Sequence, residues 1–495
     1  MDGYRIASGL LVDGDGWARL GAGERAVGIA WPQYSVGPQG ADAAQWQVRS
    51  CDIDDDEVHV ELMTQRLRAT VRHSVVGRIW RLRATLQNTG PVPLSVSQVS
   101  LDLAPGQGQA WVWGGGAEAL VSLASSVEPG RPWALVLRRG QLTDTAGRLV
   151  WLASGQGLDP GQRLVLDLDG RRCPDWESVW DWLPSWLPVP AVSRPQPVEL
   201  RLPDAAVSAP DCEVVEDGWV TLVNGVGQQR VSVRGAFGEV SLDVAFAPSL
   251  RSTVQTMSRQ LARLAREVPG AIVQAEGTSP DRRAQAMDRT ARRLLVLQAS
   301  RDQVPEQDLV RGWLLDGVTH LLVTGGLPGP STIAALAGEV QRGDGQAEAA
   351  LADAMAVLAP LPGMGLALSR AWAALWGSGA EVASVRAALE RVQRDAGSDP
   401  LSQIERYLLT GRGDEEWVLG CWEGLLGGGL PGRRDPELDP TELAQLVAAT
   451  GLLPESGTRR GGAVLAAAQV ATRRLLARYP QDPDVLAWLV LAQQD

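Results

Sequence analysis

Around residue 250 the hydrophobic rhythm of this chain changes, and that change restricts its fold more than any motif does. Before it, short apolar runs alternate with Gly, Pro and Asp turns, as in Arg230-Val-Ser-Val-Arg234 and Glu239-Val-Ser-Leu-Asp-Val-Ala-Phe246. After it, Ala, Leu and Arg recur at spacings of three and four, in segments of helical length. The pattern predicts an all-β half joined to an all-α half. A chain of 495 residues is too long for one core, so two or three domains are expected.

Composition removes whole classes of chemistry. All 46 basic residues are Arg, and Lys is absent. P-loop NTPases and kinases place a Lys on phosphates, and pyridoxal enzymes and Schiff-base aldolases need a Lys amine; none of these can be built here. A net charge of −12 disfavours nucleic acid and anionic membrane as partners. No apolar stretch approaches the roughly 20 residues of a membrane span. Met1-Asp-Gly-Tyr-Arg-Ile also lacks the basic and apolar regions of a secretory signal. A cytoplasmic protein without a membrane partner is the expectation. Cys51, Cys173, Cys212 and Cys421 stand far apart, a pattern of free thiols rather than a zinc or redox site.

The first stretch reads as successive strands. Glu57-Val-His-Val-Glu-Leu62 and Arg66-Leu-Arg-Ala-Thr-Val-Arg72 alternate polar with apolar, as half-buried antiparallel strands do. A long alternating strand from Ile79 ends at Asn88-Thr-Gly90, turns at Pro91 and resumes at Leu94. That segment resembles the β-supersandwich of galactose-mutarotase-like domains, and Asp159-Pro-Gly-Gln-Arg-Leu-Val-Leu-Asp-Leu168 is similar to a late strand of such a sandwich. Residues 1–173 are assigned to this domain and 174–197 to a linker rich in Pro and Trp. The linker's Trp176, Trp180, Trp182 and Trp186 either stack sugar rings or pin the segment across a domain seam. Residues 198–248 read as a small β-sandwich or added β layer.

Residues 249–495 supply about twelve helical segments, near 251–267, 280–300, 304–324, 330–342, 346–358, 364–377, 380–395, 400–410, 414–426, 441–450, 460–479 and 483–493. Ser279-Pro280, Asp399-Pro400, Asp439-Pro440 and Asp482-Pro483 each offer a capping side chain followed by Pro at the first helical position. Short connections make neighbouring helices antiparallel hairpins. Hairpins behind a β-sandwich resemble the (α/α)6 six-hairpin toroid of two-domain glycosidases. The rival is an open superhelix: Ala471-Thr-Arg-Arg-Leu-Leu-Ala-Arg-Tyr-Pro-Gln-Asp-Pro483 is similar to the end of a tetratricopeptide-type repeat, though the roughly 34-residue period is missing upstream.

Few sites survive inspection, and neither a metal nor a cofactor is expected. Only His59, His73 and His320 occur, none with a second His or Cys at ligand spacing. Asp52-Ile-Asp-Asp-Asp-Glu57 opens like a calcium loop, but Glu57 stands where the sharp turn needs Gly. Arg282, Arg283, Arg289, Arg292 and Arg293 form either a solvated face paired with acids or an anion site.

Acids remain. The glycosidase resemblance implies a carboxylate pair, about 6.5–9.5 Å apart for inversion or about 5–5.5 Å for retention. Asp308, Gly312, Asp316 and His320 form one polar row on the 304–324 helix, which nominates Asp316 as a catalytic acid with Trp313 and His320 beside the substrate. Gly413-Asp-Glu-Glu-Trp-Val-Leu-Gly-Cys-Trp-Glu423 nominates Glu423, with Trp422 to stack a sugar. Both sets also suit ordinary roles, an i,i+4 pair on a solvent face and acids in a first helical turn. The resulting expectation is a protein whose role involves a carbohydrate or glycan polymer, either hydrolysing its glycosidic bonds with an acid pair or merely holding it. The alternative is an inactive scaffold on the same architecture, with a protein partner.

Overall fold

The computed structural model describes residues 4–7, 10–20, 24–35, 41–42, 45–103, 109–124, 128–145, 148–202, 204–268, 279–300, 305–357, 363–378, 386–387, 390, 400–430, 438–453 and 459–492. Of the expected helix at 380–395 only residues 386–387 and 390 are described, as helix, and the cap at Asp399 lies outside the described residues. The described architecture is an antiparallel β-supersandwich with a smaller β extension, followed by an all-α domain of helical hairpins.

Strands that matter for the site are β1 (Gln47–Asp54), β2 (Glu57–Met63), β3 (Leu67–Val76), β4 (Ile79–Asn88), β5 (Gln109–Gly116), β6 (Glu118–Ala124), β7 (Trp133–Arg139) and β8 (Arg163–Arg172). They belong to one hydrogen-bonded sheet that ends in the order β5-β6-β7-β8-β4-β3-β2-β1, all antiparallel. Alternation decides the faces. Val58, Val60, Leu67, Val71, Trp80, Leu82, Leu86, Leu166 and Leu168 point inward, onto Leu10, Val12, Val27 and Ile29 from the amino-terminal strands. The alternate positions on the same strands therefore line an outer, polar face.

The Asn-Thr-Gly turn is anchored by the buried side chain of Asn88. Asn88 donates from Nδ2 to the carbonyls of Val92 and Leu158, each at 2.8 Å, and its Oδ1 accepts from Gly90 N at 2.8 Å. These bonds tie the turn to the segment preceding β8.

The β extension stacks on the other side of the large sheet around strands β9 (Gly227–Gly235) and β10 (Gly238–Ala247). Linker tryptophans fill the seam. Trp176 donates to Pro129 O at 2.9 Å, and Trp186 stacks on Phe237 at 5.3 Å and donates to Glu118 at 3.1 Å. Their rings are committed to packing rather than open to a ligand.

The helices are α1 (Leu250–Glu267), α2 (Pro280–Ala299), α3 (Glu306–Val323), α4 (Pro330–Gln341), α5 (Gly345–Ala356), α6 (Met364–Ser378), α7 (Pro400–Thr410), α8 (Glu415–Leu426), α9 (Pro440–Thr450), α10 (Arg459–Arg478) and α11 (Pro483–Leu491). Ser279, Asp439 and Asp482 accept the backbone N–H groups of Arg282, Thr441 and Asp484, so the caps act where local chemistry placed them. Contacts run in a closed circuit: α2 with α4, α4 with α6, α6 with α7, α7 with α9, α9 with α11, and α11 back with α2. An open superhelix has no such return contact. Outside this circuit α3 covers α2, α5 covers α4, α8 covers α7 and α10 covers α9.

The middle of the circuit is filled. Every residue from Pro330 to Ala337 on α4 and from Val485 to Leu491 on α11 is buried, so both helices are enclosed on all sides. Where the ring closes, Arg292 of α2 reaches Asp288 at 3.0 Å and Asp484 of α11 at 3.2 Å, and donates to Ser331 at 3.0 Å. One member of the arginine-rich helix is thus an internal clasp.

Candidate functional site

The acids nominated from sequence lie on different sides of the ring. Asp316 is exposed on α3, outside the first inner helix; Glu423 is on α8, outside the fourth. Trp313 is half-buried on α3, and His320 is exposed, its Nε2 accepting from Arg283 at 3.2 Å instead of pairing with Asp316. Trp422 is fully buried and donates to Thr450 Oγ1 at 3.0 Å. The structure brings Trp422 and Glu423 into one neighbourhood but places no second carboxylate from α3 beside them.

Glu423 belongs to the seam between the halves. Its Oε1 accepts from Glu177 N at 3.1 Å, and its Oε2 lies 3.4 Å from Arg460 Nε. Complete burial pushes its carboxyl up to about 7, although the Arg460 guanidinium pulls the other way. Arg460 in turn donates to the carbonyls of Gly130 and Pro174 and pairs with Glu416. Here α8 lies against the 129–130 turn so closely that a Cβ on Gly420 would sit 2.4 Å from Gly130 Cα. The helical domain therefore grips the turn that leads into β7.

The large sheet beyond that turn carries two concavities. On the outer face, cross-strand register sets Arg83 of β4 opposite Asp167 of β8, and Arg81 opposite Asp169. Arg83 binds Asp167 through two bonds of 2.6 and 2.8 Å; Arg81 and Arg138 share Asp169 at 3.3 and 3.1 Å; Arg72 pairs with Glu57. These pairs floor a groove of about 540 Å3 in which each guanidinium has a carboxylate partner.

Beyond Val75 the groove meets a second hollow of about 680 Å3, and the charge balance changes. Its walls include Arg78, Arg131, Arg171 and Arg172, the half-buried Trp133 and the buried Trp80, with no acidic side chain among them. Arg172 pairs with Glu128, and Arg171 lies 6.0 Å from the Trp182 ring. Arg78 and Arg131 have no ion-pair partner among the described residues. Trp133 is held edge-on by Trp80 at 5.8 Å. Trp80 in turn donates to Nδ1 of the buried His73, whose Nε2 donates to Gly16 O at 2.9 Å. Burial lowers His73 to about 4 and keeps that ring neutral.

Three distant segments build this hollow, and only pairing unites them. Trp80 is opposite Gly170 and Trp133 opposite Arg172, which carries the ends of β4, β7 and β8 to one place. Arg78 projects from the two-residue β3–β4 hairpin, where Gly77 takes φ +65° at the first central position. The dipeptide Gly77-Arg78 between two alternating runs is the local signal that could have flagged this hairpin. Nothing local flags Arg131 or Arg171.

No family model matches the chain, and no curated protein matches it by sequence. Among solved structures, a polysaccharide lyase superposes with a TM-score of 0.51 at 12% identity, over 94% of this chain and 76% of that one. The likeness is one of fold. It extends through both halves, so the chain resembles two-domain glycosidase-like proteins in carrying a β-rich part followed by a helical part. A tetratricopeptide-domain-containing protein from Parabacteroides distasonis aligns at 11% identity over 92% of this chain and 87% of that one, with a TM-score of 0.21. A glycoside hydrolase family 81 protein from Clostridium thermocellum aligns at 10% identity over 97% and 66%, with a TM-score of 0.18. Neither of these two scores supports an argument. Among the described residues, no helix is long and apolar enough to cross a membrane, and no three His, Cys, Asp or Glu side chains gather as a metal site.

Proposed function

We propose that this chain is a carbohydrate-related protein that holds a glycan in the hollow at the strand ends of its large sheet, with the helical ring as a rigid support. The observation that carries the reading is the contrast between its two halves. The ring is filled with Ala, Leu and Val where a toroid glycosidase needs a cavity, whereas the sheet carries a polar groove on its outer face and, past Val75, a hollow at its strand ends beside Trp133. Both concavities fall within the roughly 300–1,000 Å3 range of small-ligand sites. A half-buried Trp gives a flat apolar face for a sugar ring, and surrounding guanidiniums supply directional donors to its oxygens. The fold shared with a polysaccharide lyase favours a glycan over other ligands of that size.

Hydrolysis by Asp316 and Glu423 is the less favoured reading, because the first is exposed and the second sealed in a seam three hairpins away. Glu423 is better read as a positioning group: it steadies Arg460, which holds the turn before Trp133. An immobilised glycan panel tests the proposal with three proteins. Wild type and Asp316→Asn are expected to bind the same oligosaccharides, and Trp133→Ala to lose them by about tenfold or more, the scale of one lost stacking contact. Retained binding in Trp133→Ala with loss in Asp316→Asn would move the site to the ring.

A further inference from the structure

The arginine hollow carries more positive charge than a neutral sugar needs. Four guanidiniums line it and only Arg172 has an acid partner, Glu128, while the adjoining groove matches each of its own with a carboxylate. Of the neighbouring acids, Glu128 holds Arg172 within the hollow, and Asp167 and Asp169 hold Arg83, Arg81 and Arg138 in the adjoining groove. Arg78 and Arg131 approach the hollow from the two strands that flank β8, each exposed and without an ion partner among the described residues.

We infer that this hollow receives an oxyanion carried on a sugar ring, a carboxylate or a sulfate, with Trp133 against the ring. The inference rests on the glycan reading above and specifies its ligand. A guanidinium presents two parallel N–H donors that match both oxygens of either group, and such charge-assisted pairs are about twice as strong as neutral ones. Like charges gathered in one concavity repel each other until an anion enters. The chain's net charge of −12 works against general attraction of polyanions to its surface. Arg171, over Trp182, and Arg172, paired to Glu128, are already braced by neighbours, which leaves Arg78 and Arg131 as the groups that discriminate.

Calorimetric titration of the full chain tests this with tetragalacturonate, its methyl ester, a sulfated chondroitin tetrasaccharide, maltotetraose and an oligothymidylate. The carboxylate or the sulfate probe is expected to bind about tenfold or more tightly than the ester and maltotetraose, with affinity falling as salt rises from about 50 to about 300 mM. Which of the two charged sugars binds tells carboxylate from sulfate. Arg78→Gln with Arg131→Gln is expected to erase that preference, bringing the charged probe down to the affinity of its ester. Arg78→Gln alone, at a hairpin tip that carries no packing, reports the same direction if the double variant folds poorly. Equal binding of charged and neutral sugars by both proteins overturns the inference and leaves the glycan reading standing. Oligothymidylate binding as tightly as the sugars overturns it too, as attraction of any polyanion. Binding of no oligosaccharide at all overturns both.

Discussion

Glu423 shows how one side chain changes meaning once its surroundings are known. In sequence it is an acid beside a Trp, a pairing that fits a sugar site; in space it is sealed between α8, α10 and the linker. Its carboxyl has an ordinary value of 4.5 in the unfolded chain and about 7 in the folded one. Between those values the folded protein keeps a proton that the unfolded chain has released. This group's contribution is therefore complete below pH 4.5 and is lost as pH rises through 7, a change of about 3 kcal/mol. Glu423→Gln fixes the neutral form. Thermal melts should show the variant close to wild type at pH 5 and several degrees above it at pH 8. A difference that does not change with pH would show that Glu423 is ionised throughout. Nothing in the sequence reveals this, because burial here depends on a linker some 246 residues upstream.

At the level of elements, what was legible was local. Strand alternation in β2, β3 and β4 and the caps at Ser279, Asp439 and Asp482 were read from neighbouring residues, and each of these acts in the structure as its chemistry requires. Cross-strand register was not legible, since a pleated strand pairs equally well with several partners until the whole sheet forms. The arginine hollow depends on that register, and so escaped the sequence. Ring closure was likewise a long-range event, fastened by Arg292 between Asp288 and Asp484. Asp288 is nearly buried, so Arg292→Ala leaves a charge without its counter-ion and should cost about 3 kcal/mol in denaturant unfolding of the helical half. A loss under about 1 kcal/mol, the scale of an exposed pair, would mean that the clasp does not hold the ring.

For the whole molecule, the two halves divide the work. The helical domain packs its own centre and presses α8 and α10 against the linker, the 129–130 turn and the β extension. The sheet then presents Trp133 and the arginines on a surface that is held from behind. The expectation of a hollow toroid supposed the ligand inside the ring; enclosure of α4 and α11 on every side leaves no room for one there. Hydrogen–deuterium exchange with and without a bound oligosaccharide reads this division directly. The account predicts slower exchange at residues 75–80, 131–136 and 169–173, with α4 and α11 unchanged. Protection confined to 330–341 and 483–491, with the sheet ends unaffected, would contradict it.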